Sequence, residues 1–220
     1  MRFEMMFTMG LLTLAACSGD PDSAAPAAPP NEGVGGQSSQ LPDPTPVSPK
    51  ATVKRKTGAR VASDLAQALE LDAGELCREL GDQPCAEVHA IALGGVSAYT
   101  AGVFEPLETS SATSPIAVDR LVLSACQTRA YRDFEGDGAP ALFGSLSVAD
   151  GRLDPDGHEV GATIADLYHR ALLREPKAAE TEHLRDLYRQ IESAGSTAPA
   201  RDWATLSCYA VFTTLEAIFY

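Results

Sequence analysis

Asp133, Glu135 and Asp137, followed by Gly138, alternate as the first carboxylates of a calcium loop do, where the backbone curls around a hard cation. The twelfth residue of such a loop is Gly144, which supplies no bidentate carboxylate, so ordinary turn chemistry is the preferred reading. Asp166-x-x-His169 and Glu180-x-x-His183 each set a carboxylate and an imidazole one helical turn apart, the spacing with which helical bundles hold two metals. A di-metal bundle also needs inward carboxylates from two further helices, and the last helical segment offers only Glu216. All four residues lie off the apolar stripes of their helices, which predicts solvated side chains. His89 and His158 read as loop or core residues. The sequence holds no Gly-x-Ser-x-Gly, Gly-rich phosphate loop, Cys-x-x-Cys or Cys-x-x-Cys-His. The expectation is therefore no catalytic residue, no cofactor and no resident metal.

The five cysteines carry more information. Met5 to Ala15 is an apolar stretch too short to span a bilayer, preceded by Arg2 and the free amino group, as in an export signal. It ends in Leu14-Ala15-Ala16-Cys17, which resembles the lipobox of bacterial lipoproteins. That resemblance implies cleavage before Cys17 and attachment of diacylglycerol to its thiol, with acyl chains such as palmitate holding the chain on a membrane. It also implies the outer membrane, because Ser18 stands where an aspartate favours inner-membrane retention.

Four cysteines remain after lipidation, Cys77, Cys85, Cys126 and Cys208. In an oxidising compartment an even number reads as two disulfides with three possible pairings. Cys77 with Cys85, closing a short loop, and Cys126 with Cys208, joining two core helices, is the favoured one.

The elements that position these residues begin after a long unfit stretch. Residues 18–50 are Pro, Ala, Ser, Gly and Asp with almost no large apolar side chain, a composition that cannot bury enough surface to fold. Extended at about 3.1 Å per residue, such a tether reaches on the order of 100 Å. Lys50, Lys54, Arg55, Lys56 and Arg60 then form a basic end, read as a solvated linker. The expected organisation is a signal peptide over 1–16, lipidated cysteine and disordered tether over 17–60, and one acidic globular domain over 61–220. From Val61 onward, eleven Arg and Lys face twenty-five Asp and Glu, a net charge of −14. Such a field excludes nucleic acid as a partner, since that binding rests on cations that displace counterions.

Within the domain the pattern predicts a mainly α fold with long packed loops. Val61, Leu65, Ala68 and Leu69 recur at helical spacing. Val88 to Leu93 fits a strand or a buried helical turn equally. Val96 to Ser114 reads as a packed loop anchored by Tyr99, Phe104 and Leu107, and a helix follows from Pro115 to about Tyr131. Helices are also expected over Val160–Arg174, Ala178–Ser193 and Asp202 to about Ile218, the last apolar nearly all round and so placed at the centre. Asp166-Leu167-Tyr168-His169-Arg170 is echoed by Asp186-Leu187-Tyr188-Arg189-Gln190, but two copies make no solenoid.

Leu167-Tyr168-His169-Arg170-Ala171-Leu172, Arg174-Glu175-Pro176, Glu180 and Leu184 together resemble a helical C-terminal module of uncharacterised planctomycete-type surface proteins. The resemblance spans Asp166 to Phe219 and implies an extracytoplasmic helical module without an assigned activity.

These readings converge on a membrane-anchored envelope lipoprotein with a binding or structural role. Its partners would be the membrane, through the N-terminal lipid, and an envelope protein or polymer. Two alternatives differ in class: a metal-dependent hydrolytic enzyme using the loops around Tyr99–Phe104 and Asp133–Asp137, and an accessory subunit of an envelope complex.

Overall fold

The computed structural model describes residues 54–99, 101–105 and 112–220. The signal peptide, Cys17 and the tether to Lys50 lie outside the described residues, as does Leu107. The fold is mainly α, as expected, with seven helices and one two-stranded sheet among the described residues.

Folded structure begins before residue 61. Thr57 caps α1 (Gly58–Leu69) by accepting the Arg60 N–H, and Val61, Leu65, Ala68 and Leu69 turn inward. Lys54, Arg55 and Lys56 are part of the fold and not of a solvated linker. Arg55 bridges Phe219, the Lys56 N–H donates to Ile218 O, and the Tyr220 N–H donates to Lys54 O at 2.8 Å. Arg55 Nη2 also donates to Ala92 O, and Lys56 and Arg60 both pair with Asp64. Arg55 and Lys56, two of the cations that stand out in the sequence, thus help to close the domain.

After a 3-10 turn at Ala73–Glu75 comes a hairpin, β1 (Arg78–Glu79) against β2 (Gln83–Pro84), antiparallel with Arg78 opposite Pro84. Leu80 and Gly81 take positive φ at its tip, 49° and 97°. The Cys77–Cys85 disulfide closes its base, with Cα atoms 5.4 Å apart. The segment left open between strand and helix is helical only over α2 (Cys85–Val88), then runs as turns that bury Leu93.

α3 (Ser114–Glu135) extends beyond the predicted end at Tyr131, with Gly136 as its C-cap. α5 (Ala178–Ser193) falls where the periodicity places it, and α4 (His158–Leu172) begins and ends two residues before its predicted bounds. α6 (Pro199–Phe212) stops six residues short of the predicted end, and α7 (Leu215–Ile218) is a separate turn of helix. Tyr209 O still accepts the Thr213 N–H, but Thr214 turns extended (φ −63°, ψ 153°) and places both its N–H and its Oγ1 on Val211 O, the carbonyl that would continue the helix.

α6 is the central helix, packed against α3, α4, α5 and α7. Trp203, Ala204, Ser207, Cys208, Val211 and Phe212 are buried, and the Trp203 indole N–H donates to Leu184 O at 2.7 Å. Its other side is not buried: Leu206 is 37 % exposed and Ala210 also faces water. The second disulfide, Cys126–Cys208, locks α3 to α6, with Cα atoms 5.8 Å apart and both cysteines fully buried.

Candidate functional site

The carboxylate loop is held together by arginine and backbone amides. The Asp133 side chain is fully buried in the last turn of α3, ion-paired with Arg129, itself only 6 % exposed. Its oxygens accept the N–H groups of Ala141, Leu142 and Phe143 at 2.9, 3.0 and 2.8 Å. Asp133 therefore caps the segment that carries the buried Leu142 and Phe143, and its lone pairs are taken. Glu135 pairs with Arg201 across to α6. Asp137 lines a cavity of about 420 Å³ together with Arg129 and Arg132. Two arginines beside Asp137 make a poor cation cradle. Among the described residues the three carboxylates do not converge on a common point.

The two carboxylate–histidine pairs are likewise dispersed. Asp166 binds Arg170 at 2.9 Å, and His169 and His183 are exposed. Arg174 holds both oxygens of Glu180 at 2.8 Å, and the Lys177 N–H donates to Glu180 Oε2 at 2.6 Å, closing the start of α5. Hydrogen bonds from Arg174, then from the Lys177 amide, bring the Glu180 pKa down to about 2. A carboxylate depressed in the folded state adds stability above its unfolded pKa of about 4.3, and that stability is lost as pH falls towards 2. Glu180→Gln is accordingly expected to flatten the decline of melting temperature between those pH values, and a variant with an unchanged acid limb would refute the assignment.

His89 Nε2 meets Glu79 Oε2 at 2.9 Å and Arg120 donates to the other Glu79 oxygen at 2.9 Å. This cluster ties the hairpin to α2 and α3. One group of three potential metal-ligating atoms lies together among the described residues, Cys77, Glu79 and Cys85, and both of its sulfurs are in a disulfide. His158 is exposed at the start of α4.

Two of the expected anchors of the loop after Val96 are not packed. Tyr99 is fully exposed and Phe104 is 76 % exposed, on a turn closed by the Ser97–Val103 bridge. Neither anchors the core, and neither stands near the Asp133 turn in a shared cleft among the cavities described.

Two larger clefts lie among the described residues. One, about 430 Å³ between α1 and the end of α4, is lined by Lys56, Arg60 and Arg170. Each of these cations already has a carboxylate, Asp64 for the first two and Glu70 with Asp166 for Arg170. The other, about 730 Å³, lies between α3, α6 and the end of α5. Leu123, Ile191 and Leu206 give it apolar walls, and Gln127, Tyr131 and Thr205 give it polar ones. Its volume is in the range of small-molecule sites. Periodicity could not find it, because the residues concerned come from the outward edges of three helices.

No helix among the described residues is long and apolar enough to cross a membrane. Comparison with family models, curated proteins and solved structures finds no match.

Proposed function

We propose that this chain is an envelope lipoprotein, anchored through Cys17, whose disulfide-braced helical domain binds a partner without catalysing a reaction on it. The observation that carries the reading is the pairing of all four domain cysteines, which leaves Cys17 as the odd one of five. A thiol at the end of an export-type apolar run, directly after Leu14-Ala15-Ala16, is chemically suited to acylation. Two disulfides suit an oxidising compartment outside the cytoplasm. The binding role is supported by a preformed groove beside clusters of ionisable groups that already satisfy one another.

Intact mass of the protein extracted from bacterial membranes tests the proposal. The expected result is a diacyl or triacyl adduct that is absent from a Cys17→Ser variant, with a mass increase on reduction that corresponds to two disulfides. An unmodified, soluble product with free thiols would overturn it. Co-purification of a stoichiometric envelope protein would assign the domain to a larger complex.

A further inference from the structure

The groove between α3, α6 and the end of α5 has a lining whose charges cancel. Arg201 and Asp202 both contribute to it, but Arg201 is paired with Glu135 and Asp202 accepts the Ser196 hydroxyl. In contrast, the Gln127 amide and the Tyr131 and Thr205 hydroxyls have no hydrogen-bond partner among the described residues. Tyr131 lines the groove with 56 % of its surface exposed, so its ring is available to a ligand.

These features restrict the chemistry of an occupant. An ionic ligand gains nothing from a lining of one cation and one anion that already have partners, within a unit of net charge −14. A purely apolar ligand would strip water from an amide and two hydroxyls without replacing it. A neutral ring bearing several hydroxyls meets both conditions. Its C–H face can lie on Tyr131 and the apolar walls, while its hydroxyls exchange hydrogen bonds with groups that both donate and accept. The site is also held in shape before any ligand arrives. Cys126 lies between Leu123 and Gln127 on α3, and Cys208 follows Thr205 and Leu206 on α6, so the disulfide fixes the separation of two walls.

We propose that this groove binds pyranose rings of a neutral envelope glycan. The chemistry of the proposal stands on the groove alone. It rests on the envelope-binding reading above for where such a glycan would be met.

The test is a titration of the purified, isotope-labelled chain with N-acetylglucosamine, its β-1,4-linked tetramer and cellotetraose, followed by amide chemical shifts. Saturable shifts at Gln127, Tyr131 and Thr205 are expected, and Tyr131→Ala should weaken binding by about ten-fold while Tyr131→Phe keeps the ring contact and stays within about three-fold. Tighter binding of the tetramer assigns a polymer as the source, and equal affinity assigns a free sugar. Absence of shifts at these residues up to about 10 mM sugar, the range of the weakest useful affinities, would overturn the proposal. So would unchanged binding by a Tyr131→Ala protein with native melting behaviour. Lipidation is read by mass and the groove by shifts, so either reading can fail while the other stands.

Discussion

Asp133→Ala is expected to lower the stability of the domain by about 3–5 kcal/mol, the range for breaking a buried ion pair from one side. Arg129 would keep its charge at 6 % exposure without its ion-pair partner. Three amides, those of Ala141, Leu142 and Phe143, would lose their acceptor at the same time. Asp137→Ala, on an exposed turn, should change stability by no more than about 0.5 kcal/mol. Urea unfolding of both variants and the parent, with and without calcium, separates a structural carboxylate from a cation ligand. If calcium raised the midpoint of the parent and not of Asp133→Ala, the turn would be an ion site after all, and the capping account would be wrong.

The second large effect concerns the bond between α3 and α6. Replacing Cys126 and Cys208 together with Ala should cost about 2–4 kcal/mol, the usual range for the loss of a disulfide. For a domain of this size the melting temperature would fall by about 5–15 °C. The two cysteines are 82 residues apart, against 8 for Cys77 and Cys85. Loop closure therefore predicts a smaller loss from the paired Cys77→Ala and Cys85→Ala substitutions. Equal or reversed losses in guanidinium unfolding would show that local packing, rather than chain entropy, dominates both crosslinks. Alanine is the suitable replacement, since serine would bury a hydroxyl at a fully buried position.

Legibility of the fold in the sequence follows from how local the determining interaction is. α5 was legible to the residue because Pro176 and Gly195 punctuate it and Leu184 and Tyr188 mark a single stripe. The two disulfides were legible as the favoured pairing of four cysteines. α6 was harder: a helix that is apolar nearly all round gives no phase, so Leu206 and Ala210 could not be separated from Val211 and Cys208. Its early end falls at Thr214, whose hydroxyl takes Val211 O, and propensity alone does not resolve that. The early start of α1 was hidden because Lys54 to Lys56 are ordered by Ile218 to Tyr220, at the far end of the chain. Asp133 read as a turn carboxylate since its partners are four residues back and eight to ten ahead, a pattern no short motif encodes. Tyr99 and Phe104 read as anchors of a packed loop from type alone, and exposure corrects them. The groove was beyond sequence reading for the same reason as the domain's start, since Tyr131, Ile191 and Leu206 meet only through packing.

The backbone contact between Lys54 and Tyr220 closes the folded unit into something near a ring. In such a ring the point at which the folded unit opens is a matter of genetics more than of packing. A permuted gene that joins residue 220 to residue 54 through a short linker, and opens instead at the exposed Gly195 turn, would preserve every helix and both crosslinks. The order in which ribosomes deliver the segments would change, and the three-dimensional arrangement would not.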